Sequence, residues 1–343
     1  MNSPIPVQEH SAGTTVSAPP SVAASVCICT YNGGHRAVRV LDALTKQTAP
    51  TEQWEVIVID NGSTDDTARV MTTKLEELFP KHSRVVYEPE LGTAIGRRRA
   101  SIEARGEVIC FLDDDNIPDP DFVEQALRLF AERPRMGAVG GRLIAEWEKP
   151  ASALANVVAV DMLGVTALGD EPFLISHPCW APAGAGLCIR TEVLRRSLED
   201  SSFCAGVAGR QGNSLGSGCD AALGVKVYQL GYERWYDPAL CLRHQLSAHR
   251  MELDYMSRLH EAVGRGQAAV RRLWAWQGNT RWMSAAVAAK DALVYLARSI
   301  RGPVPVPGIE DKSEQRALHR MRQRQLHGRM SEAFRFSIRS PKS

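Results

Sequence analysis

Residues 107–123 read EVICFLDDDNIPDPDFV, and the order of residue types in this segment indicates the fold class. A short apolar run without alternation, as at residues 108–112, is typical of a strand that is buried on both faces of a parallel sheet. Three consecutive aspartates end the run, and a helical pattern begins at Asp121. Ligands of open α/β sheets bind beyond the carboxyl ends of the strands, so we expect the aspartates to lie at a ligand-binding edge.

The alternation of a buried strand with an amphipathic helix repeats through the first 132 residues. Strands are predicted over residues 25–29, 55–59, 84–87 and 107–112, and helices over residues 36–46, 65–79, 93–104 and 121–132. Strands that alternate with helices form a mostly parallel, Rossmann-like sheet with helices on both faces. The predicted fold class is therefore α/β.

Composition divides the chain into four segments. Residues 1–24 are rich in Ser, Ala, Pro and Thr and are predicted to be a disordered leader, followed by the α/β domain over residues 25–250. Residues 251–302 have the pattern of a helical C-terminal extension. Residues 303–343 are predicted to be a Pro-rich linker and a basic tail.

Charge is distributed unevenly along the chain. The net charge is only +2 for 343 residues, which argues against a nucleic-acid partner. Residues 312–343, however, hold nine basic and two acidic side chains. Such a tail either contacts an anionic membrane surface or serves as a solubilising segment, and the sequence leaves both alternatives open.

The cysteines and the apolar runs bear on the compartment. The eight cysteines show no zinc-ribbon spacing, and several lie in strand-like apolar runs, which indicates reduced, buried thiols. The sequence has no signal-peptide pattern and no apolar run long enough to span a bilayer. The predicted location is the cytoplasm, with peripheral contact to the inner face of the membrane as the alternative.

Small and polar residues also follow the first two strands. Thr30, Tyr31 and Asn32 come after the first strand, and Asp60 and Asn61 come after the second. Because the carboxyl ends of parallel strands meet at one edge of a sheet, we expect these side chains to lie near the aspartates. A carboxylate there can accept a base N–H or ribose hydroxyls, although the turn-forming sequence DNGST gives Asp60 a purely structural alternative.

The triplet Asp113, Asp114 and Asp115 points to a divalent cation. Adjacent carboxylates raise one another's pKa unless a positive charge lies among them. Oxygen ligands suit Mg²⁺ or Mn²⁺, which complete their shells with water and substrate phosphates. The alternative is that Asp115 or Asn116 merely caps the next turn.

A glycine- and arginine-rich loop, GTAIGRRR at residues 92–99, follows the third strand. Glycines let a backbone approach a ligand, and the N-terminus of the next helix favours anions. An arginine in this loop is suited to gripping a diphosphate. The Walker pattern GxxxxGK[ST] is absent from the loop.

Three blocks together resemble the family 2 glycosyltransferases, which have the GT-A fold: TYNGG at residues 30–34, VIVIDNGSTDDT at residues 56–67 and RGEVICFLDDDNIPDPDFV at residues 105–123. The resemblance extends over about residues 25–250 and is closest to bacterial exopolysaccharide-type members. It implies a nucleotide-sugar donor, with a UDP-sugar favoured, a glycan or lipid-linked acceptor, a divalent metal and inversion at the anomeric carbon.

The resemblance implies roles for residues of the first half. Donor binding falls to Thr30, Tyr31, Asn32, Asp60, Asn61, Arg97, Asp113 and Asp114. Asp60 resembles the acid that recognises the base, and Arg97 matches the arginine of a Gly/Ala-Arg-Asn block in which Arg98 replaces the Asn. Asp113 and Asp115 match the DXD motif, with Asp115 as the direct metal ligand.

The resemblance continues into the acceptor half. The stretch PAGAGLCIR is similar to the strand that borders the donor-sugar and acceptor pockets, which assigns Gly184, Ala185 and Gly186 to those pockets. The Gly-Cys-Asp sequence at Cys219 and Asp220 resembles a Gly-Glu-Asp block whose final Asp is the catalytic base. Cys219 replaces the Glu and is assigned to the pocket, and Asp220 is the predicted base, with a helix N-cap as its structural alternative.

His244 follows the last predicted sheet segment. Its imidazole is predicted to complete the metal shell or to touch the diphosphate, and the alternative is a structural histidine. The QxxRW signature of processive synthases is absent, which predicts the transfer of one sugar at a time.

Three other functions are weighed against this one. A metal-dependent nucleotidyltransferase usually has a basic, glycine-rich loop after the first strand, where this chain has TYNGG. A Mg²⁺ phosphohydrolase needs neither Asp60 nor Asp220. A non-catalytic scaffold with the GT-A fold would tolerate loss of the acids that this chain keeps.

Overall fold

The computed structural model describes residues 22–166, 168–177, 180–199, 209–211, 214–275 and 280–338. The strands are β1 (Ala24–Thr30), β2 (Trp54–Asp60), β3 (Ser83–Tyr87), β4 (Val108–Asp113), β5 (Asn116–Pro118), β6 (Met136–Trp147), β7 (Phe173–Leu174), β8 (Cys188–Arg190) and β9 (Glu233–Leu246). The helices are α1 (Gly34–Leu44), α2 (Thr67–Leu78), α3 (Thr93–Glu103), α4 (Phe122–Glu132), α5 (Ala153–Met162), α6 (Thr191–Leu198), α7 (Cys219–Gln229), α8 (Leu253–Ala275), α9 (Thr280–Arg301) and α10 (Lys312–Ile338). The four strands and four helices predicted for the first half are confirmed, each end to within two residues.

One mixed sheet organises the domain, in the order β3-β2-β1-β4-β8-β6-β9-β5, with β7 paired to β9. The pairs β1–β2, β1–β4 and β2–β3 are parallel, as the sequence predicts. Strand β8 runs antiparallel to both β4 and β6, and β6 pairs in parallel with β9. The carboxyl ends of β1, β2 and β4 therefore lie side by side, and their following loops form one edge.

Both faces of the central strands are covered. Val26 and Ile28 of β1 belong to a core shared with α1, α2 and α4, whereas Cys27 belongs to a second core on the other face. Because successive side chains of a strand point to opposite faces, a strand between two cores is apolar throughout. Each such buried side chain stabilises the fold by roughly 1.5–3 kcal/mol, which explains the continuous apolar run that marks β1 in the sequence.

The helical extension predicted for residues 251–302 corresponds to α8 and α9. Within the described part of the chain, no helix combines the length and the apolar character needed to cross a bilayer. Six of the eight cysteines lie among the described residues, and these six are free thiols. Residues 1–21 of the predicted leader lie outside the described residues, and Ala24 already belongs to β1.

The C-terminal segment differs from the linker and tail expected from its composition. Residues Lys312–Ile338 form the single long helix α10, which packs along α8. Leu318 and Met321 are buried against α8, and a Cβ at Gly264 or Gly328 would collide with the backbone of the facing helix. The apolar residues of α10 recur at helical spacing between arginines, so a helix that is basic overall still has one apolar face that packs against the fold.

Two of the basic side chains in α10 form ion pairs inside the fold. Arg322 pairs with Asp161 of α5 at 3.2 Å, and Arg329 pairs with Asp291 of α9. The exposed side chains of α10 include another four basic residues, Lys312, Arg316, Arg320 and Arg324. The helix is therefore both a packing element and a source of positive charge at the surface.

Candidate active site

A cleft of about 1370 Å³ opens at the carboxyl ends of β1, β2 and β4. It is lined by most of the residues that the sequence singles out, namely Thr30, Tyr31, Asn32, Asn61, Arg97, Asp113, Asp114, Asp115, Gly184, Ala185, Cys219, Asp220 and His244. The volume exceeds the roughly 300–1,000 Å³ of a typical single-ligand pocket. The cleft therefore has room for two substrates side by side.

Two predicted residues do not line the cleft. Asp60 is 1% exposed, and one oxygen of its carboxylate accepts the Ser63 N–H at 3.0 Å, so its visible role is to shape the turn after β2. Gly186 lies at φ +73°, and a Cβ there would collide with Leu242. In this structure both residues face packed protein, so the binding roles of Asp60 and Gly186 stay predictions.

Asn61 follows Asp60 and is also a predicted donor-binding residue. It lines the cleft, and its side-chain amide donates to the Glu90 carbonyl at 2.6 Å and accepts the Gly92 N–H at 2.8 Å. These bonds connect the end of β2 to the loop that starts α3. The Asn61 amide thereby holds the loop that precedes α3 in place.

Asp114 is tied to the loop after β1. Its carboxylate accepts the Thr30 hydroxyl at 2.7 Å and Arg36 Nη2 at 2.9 Å. A Cβ on Gly33 would collide with Asp114, Thr30 and Arg36, so only glycine leaves room for the cluster. Asp114 therefore joins the loops after β1 and β4.

Asn32 links the loops after β1 and β2. Its backbone has φ +49°, in the left-handed region that asparagine tolerates better than most residues. Its side-chain oxygen accepts the Thr64 N–H at 2.8 Å, and its own N–H donates to the Ser63 hydroxyl at 2.9 Å. Tyr31 beside it is half-buried and lines the same part of the cleft.

Asp113 and Asp115 have opposite electrostatic settings. Burial, and then the charge of Asp115, raise the pKa of Asp113 to about 6. Burial would also raise the pKa of Asp115, but His244 and the positive charge of Arg250 outweigh it and hold that pKa well below its usual range. Arg250 Nη2 donates to Asp115 Oδ2 at 2.6 Å, and His244 Nε2 lies 3.5 Å from the same oxygen.

These side chains are candidate ligands for a divalent cation as part of a larger shell. Asp113 and Asp115 supply oxygen atoms, and His244 Nδ1 is buried without a hydrogen-bond partner among the described residues. In the same described residues, no three His, Cys, Asp or Glu side chains are gathered tightly enough to enclose a metal. Mg²⁺ and Mn²⁺ commonly take only one or two protein carboxylates and complete their shell with phosphate and water.

Asp220 is held at two oxygens by neighbouring groups. Arg97 Nη1 donates to Oδ1, and the Gly184 N–H donates to Oδ2 at 3.0 Å. A Cβ on Gly184 would collide with both Arg97 and Asp220, so the absence of a side chain there is what lets the pair form. Asp220 itself is 41% exposed to the cleft, which leaves its carboxylate accessible to a second substrate.

Arg97, which is predicted to hold a diphosphate, is bonded to Asp220 in this structure. Its side chain is 5% exposed, its guanidinium lies 5.4 Å above the Phe111 ring, and one of its nitrogens is bonded to Asp220. Arg97 Nη1 also lies 3.4 Å from Cys219 Sγ. In this structure Arg97 is therefore engaged with the carboxylate, because α3 directs it across the cleft floor toward the start of α7.

The cleft contains cations that the sequence does not single out, including Arg36 and Arg210, and also Arg250, which the sequence offers as a second choice to His244. Arg36, Arg210 and Arg250 all line it, and Arg210 and Arg250 contribute positive charge that lowers the pKa of Asp115. Arg36 could have been noticed because it lies in the first turn of the helix that follows TYNGG. Nothing in the spacing of the sequence marks Arg210.

Residues 25–177 match the model of the family described as "Glycosyl transferase family 2". This segment is a family 2 glycosyltransferase domain. Glycosyltransferase AglE of Haloferax volcanii is 34% identical to the chain over 107 residues, which cover 30% of this chain and 34% of AglE. Validoxylamine A glucosyltransferase of Streptomyces hygroscopicus subsp. jinggangensis is 34% identical over 109 residues, which cover 31% of this chain and 25% of that enzyme.

The chain has its fold in common with a solved enzyme over most of its length. The mannosyltransferase PcManGT from Pyrobaculum calidifontis, solved in complex with GDP-Man and Mn²⁺, aligns with a TM-score of 0.55 and 18% identity. The alignment covers 91% of this chain and 86% of PcManGT. The GT-A fold expected from the sequence is confirmed. The chain spans about a third or less of the length of the two curated relatives above.

Proposed function

We propose that this protein is an inverting glycosyltransferase. It transfers one sugar from a nucleotide-diphosphate sugar, a UDP-sugar being favoured, to a hydroxyl of a glycan or lipid-linked acceptor in the synthesis of cell-surface or exopolysaccharide glycans. The observation that carries the proposal is that Asp220 and the three aspartates of the triplet line the same cleft. The Asp220 carboxylate is bonded there to Arg97 and to the Gly184 N–H. The family 2 domain supports it.

The donor binds at the edge formed by β1, β2 and β4. Tyr31, Asn32 and Asn61 line the part of the cleft that lies nearest the first two strands and are suited to the nucleotide. Arg36 and Arg210 provide positive charge for the diphosphate. Arg97 is less suited because its side chain is 5% exposed, whereas Arg36 is 55% exposed even while it is bonded to Asp114. The presence of GDP-Man in the PcManGT complex is consistent with a nucleotide-sugar donor for this fold.

A divalent cation, Mg²⁺ or Mn²⁺, would be held by Asp115 together with Asp113 and His244. When bound, it offsets the negative charge that grows on the leaving diphosphate. Burial, and then the charge of Asp115, raise the pKa of Asp113 to about 6, and this cost of a negative charge is the electrostatic reason to expect a positive ion there.

Asp220 acts on the acceptor. Its carboxylate takes the proton of the acceptor hydroxyl while that oxygen forms a bond to C1 of the sugar. The bond from C1 to the diphosphate breaks, and its electron pair leaves with the nucleoside diphosphate. Attack from the side opposite the leaving group inverts the anomeric centre. Arg97 and the Gly184 N–H hold the carboxylate in one orientation throughout.

Release of nucleoside diphosphate from a panel of UDP-, GDP- and dTDP-sugars tests the function. We expect release from at least one sugar nucleotide with Mn²⁺ or Mg²⁺, loss of release in EDTA, and recovery when the ion is returned. The anomeric configuration of a product glycoside, measured by NMR coupling constants, then tests inversion.

The rival functions give other products in the same assay. Pyrophosphate release from a nucleoside triphosphate and a sugar phosphate would indicate a nucleotidyltransferase. Inorganic phosphate released from a phosphate ester would indicate a phosphohydrolase. Donor binding without turnover of any sugar nucleotide and acceptor would indicate the non-catalytic scaffold.

A further inference from the structure

Helix α9 carries an apolar stripe that no described element covers. Leu293, Leu296 and Ile300 are spaced by three and four residues, so they lie on one face of the helix. Their exposed fractions are 69%, 57% and 77%, among the highest of the large apolar side chains in the described residues. Val304, just beyond the helix end, is also exposed.

The opposite face of α9 is the one that packs. Asp291 is buried and paired with Arg329 of α10, and it lies about 200° around the helix from Leu293 at 100° per residue. The contacts of α9 with the rest of the chain are mainly with α10. The stripe is therefore directed away from the body, and rotating the helix to hide it would break the Asp291–Arg329 pair.

The charge around the stripe is positive. Lys290 and Arg301 are exposed near its two ends. Residues 280–301 contain one acid, Asp291, and it is neutralised in the interior by Arg329. A helix with an apolar face and basic flanks is the form that lies in the headgroup layer of an anionic bilayer.

We propose that α9 docks the protein on an anionic lipid bilayer through Leu293, Leu296 and Ile300, with Lys290 and Arg301 at the headgroups. A second copy of this chain fits less well, because a two-fold interface places the same patch against itself and would bring the cations of two α9 helices together. The exposed Lys312, Arg316, Arg320 and Arg324 of α10 add long-range attraction to a negative surface.

This proposal refines the sequence-based alternative of a membrane-binding tail. Composition pointed to residues 303–343, but α10 packs along α8 through Leu318 and Met321, so it is an element of the fold. The apolar contact falls instead to α9. Among the described residues, α9 is not apolar enough along its length to cross a bilayer, so the proposed contact is with the bilayer surface.

Co-sedimentation of the full chain with vesicles tests the proposal. We expect binding to vesicles that contain phosphatidylglycerol, weaker binding to pure phosphatidylcholine, and release by salt. The triple variant L293Q/L296Q/I300Q should bind about a hundredfold more weakly, because three apolar side chains no longer enter the interface. The charge variant K290Q/R301Q should bind the anionic vesicles about tenfold more weakly.

A matched variant controls for the general loss of exposed apolar surface. Tyr87 and Ile102 are about as exposed as the stripe residues but lie on β3 and α3, so Y87Q/I102Q should bind like the wild type. Circular dichroism and the release of nucleoside diphosphate in the absence of lipid should be unchanged in all variants, because no substituted residue lines the cleft.

Three results would overturn the proposal. The first is a wild type that does not sediment with the anionic vesicles. The second is a triple variant that binds them as well as the wild type. The third is a wild-type dimer in sedimentation velocity without lipid that becomes a monomer in the triple variant, which would make a second copy the occupant of the stripe.

Discussion

The cleft and helix α9 differ in how their side chains are satisfied: those of the cleft are bonded to one another, and those of the α9 stripe are exposed to solvent. In the cleft, polar side chains are bonded across loops, as Thr30 is to Asp114 and Asp220 is to Arg97. Along α9, the apolar side chains Leu293 and Ile300 project outward. The first surface is organised before any ligand arrives, whereas the second gains free energy only when something outside the chain covers it.

This difference predicts which substitutions will alter catalysis or stability. A substitution in the cleft disturbs several side chains that are hydrogen-bonded to one another, so it should change kcat strongly. A change on the stripe disturbs no neighbour, so it should leave folding and catalysis intact. The predictions below test that contrast from its largest expected effect to its smallest.

Among the variants that keep the Asp220 carboxylate, the largest effect is expected for Gly184→Ala. The new Cβ would collide with Arg97 and Asp220, and the displacement of the carboxylate should lower kcat by about a hundredfold with little change in the affinity for the donor. The matched control is Gly96→Ala in the neighbouring helix α3. Its Cβ would lie 3.5 Å from Cys29 Sγ, an ordinary contact, so its kcat should stay near the wild-type value. Equal losses in both variants would contradict the account.

Arg97→Lys distinguishes the two roles of the arginine. If Arg97 holds Asp220, kcat should fall by about tenfold while the Kd for the nucleotide sugar stays unchanged, because one ammonium replaces the bonded guanidinium. Calorimetric titration and steady-state kinetics separate the two quantities. A large rise in Kd with unchanged kcat would restore the diphosphate-gripping role that the sequence predicted.

Glu55→Gln tests a bonded polar cluster at the amino end of β2, away from the cleft. Burial would raise the pKa of Glu55, but hydrogen bonds from Arg84, Arg105 and Ser25 outweigh it and hold that pKa below its ordinary value of 4.5. The variant should lose about 2 kcal/mol in the free energy of unfolding at pH 7, because hydrogen bonds to a charged group are lost, and should keep its kcat.

The pH dependence of that loss has a definite sign. A carboxyl whose pKa is lowered by folding stabilises the native state above its unfolded pKa, and the stabilisation disappears as the pH falls through the folded pKa. Urea unfolding at pH 7, 5, 4 and 3 should therefore show the wild type and Glu55→Gln converging toward acid. A difference that grows toward acid would contradict the assignment.

The smallest effect is expected for Leu293→Gln. Because this side chain is exposed and contacts no core, the free energy of unfolding should change by no more than about 0.5 kcal/mol. Leu318→Ala in α10 is the contrasting variant, since Leu318 is buried against α8 and its loss should cost about 3 kcal/mol. Urea unfolding measures both, and similar losses would mean that the stripe is packed.

The first half of the fold could be read from the sequence because its signals are local. Continuous apolar runs mark β1, β2 and β4, and the residues that follow each run converge on one edge in any parallel sheet. That convergence and the family resemblance together predict that the triplet Asp113–Asp115 and the carboxylate of Asp220 lie in one cleft, as they do.

The rest depends on contacts between residues far apart in sequence. Asp60 and Asn61 are neighbours at a strand end, and only the packing of the turn decides that Asn61 lines the cleft. Arg97 meets Asp220 across 123 positions, which no spacing rule predicts. The composition of α10 does not indicate a packed helix, because arginines dominate it while a narrow apolar face makes the contacts.

The central claim is that Asp220 removes the acceptor proton in a cleft that binds the donor independently. Nucleoside diphosphate release with acceptor, measured beside donor binding for the wild type and Asp220→Asn, tests it most directly. The account predicts that the variant binds the sugar nucleotide as tightly as the wild type and loses transfer by about a thousandfold or more. Transfer by Asp220→Asn at the wild-type rate would contradict it.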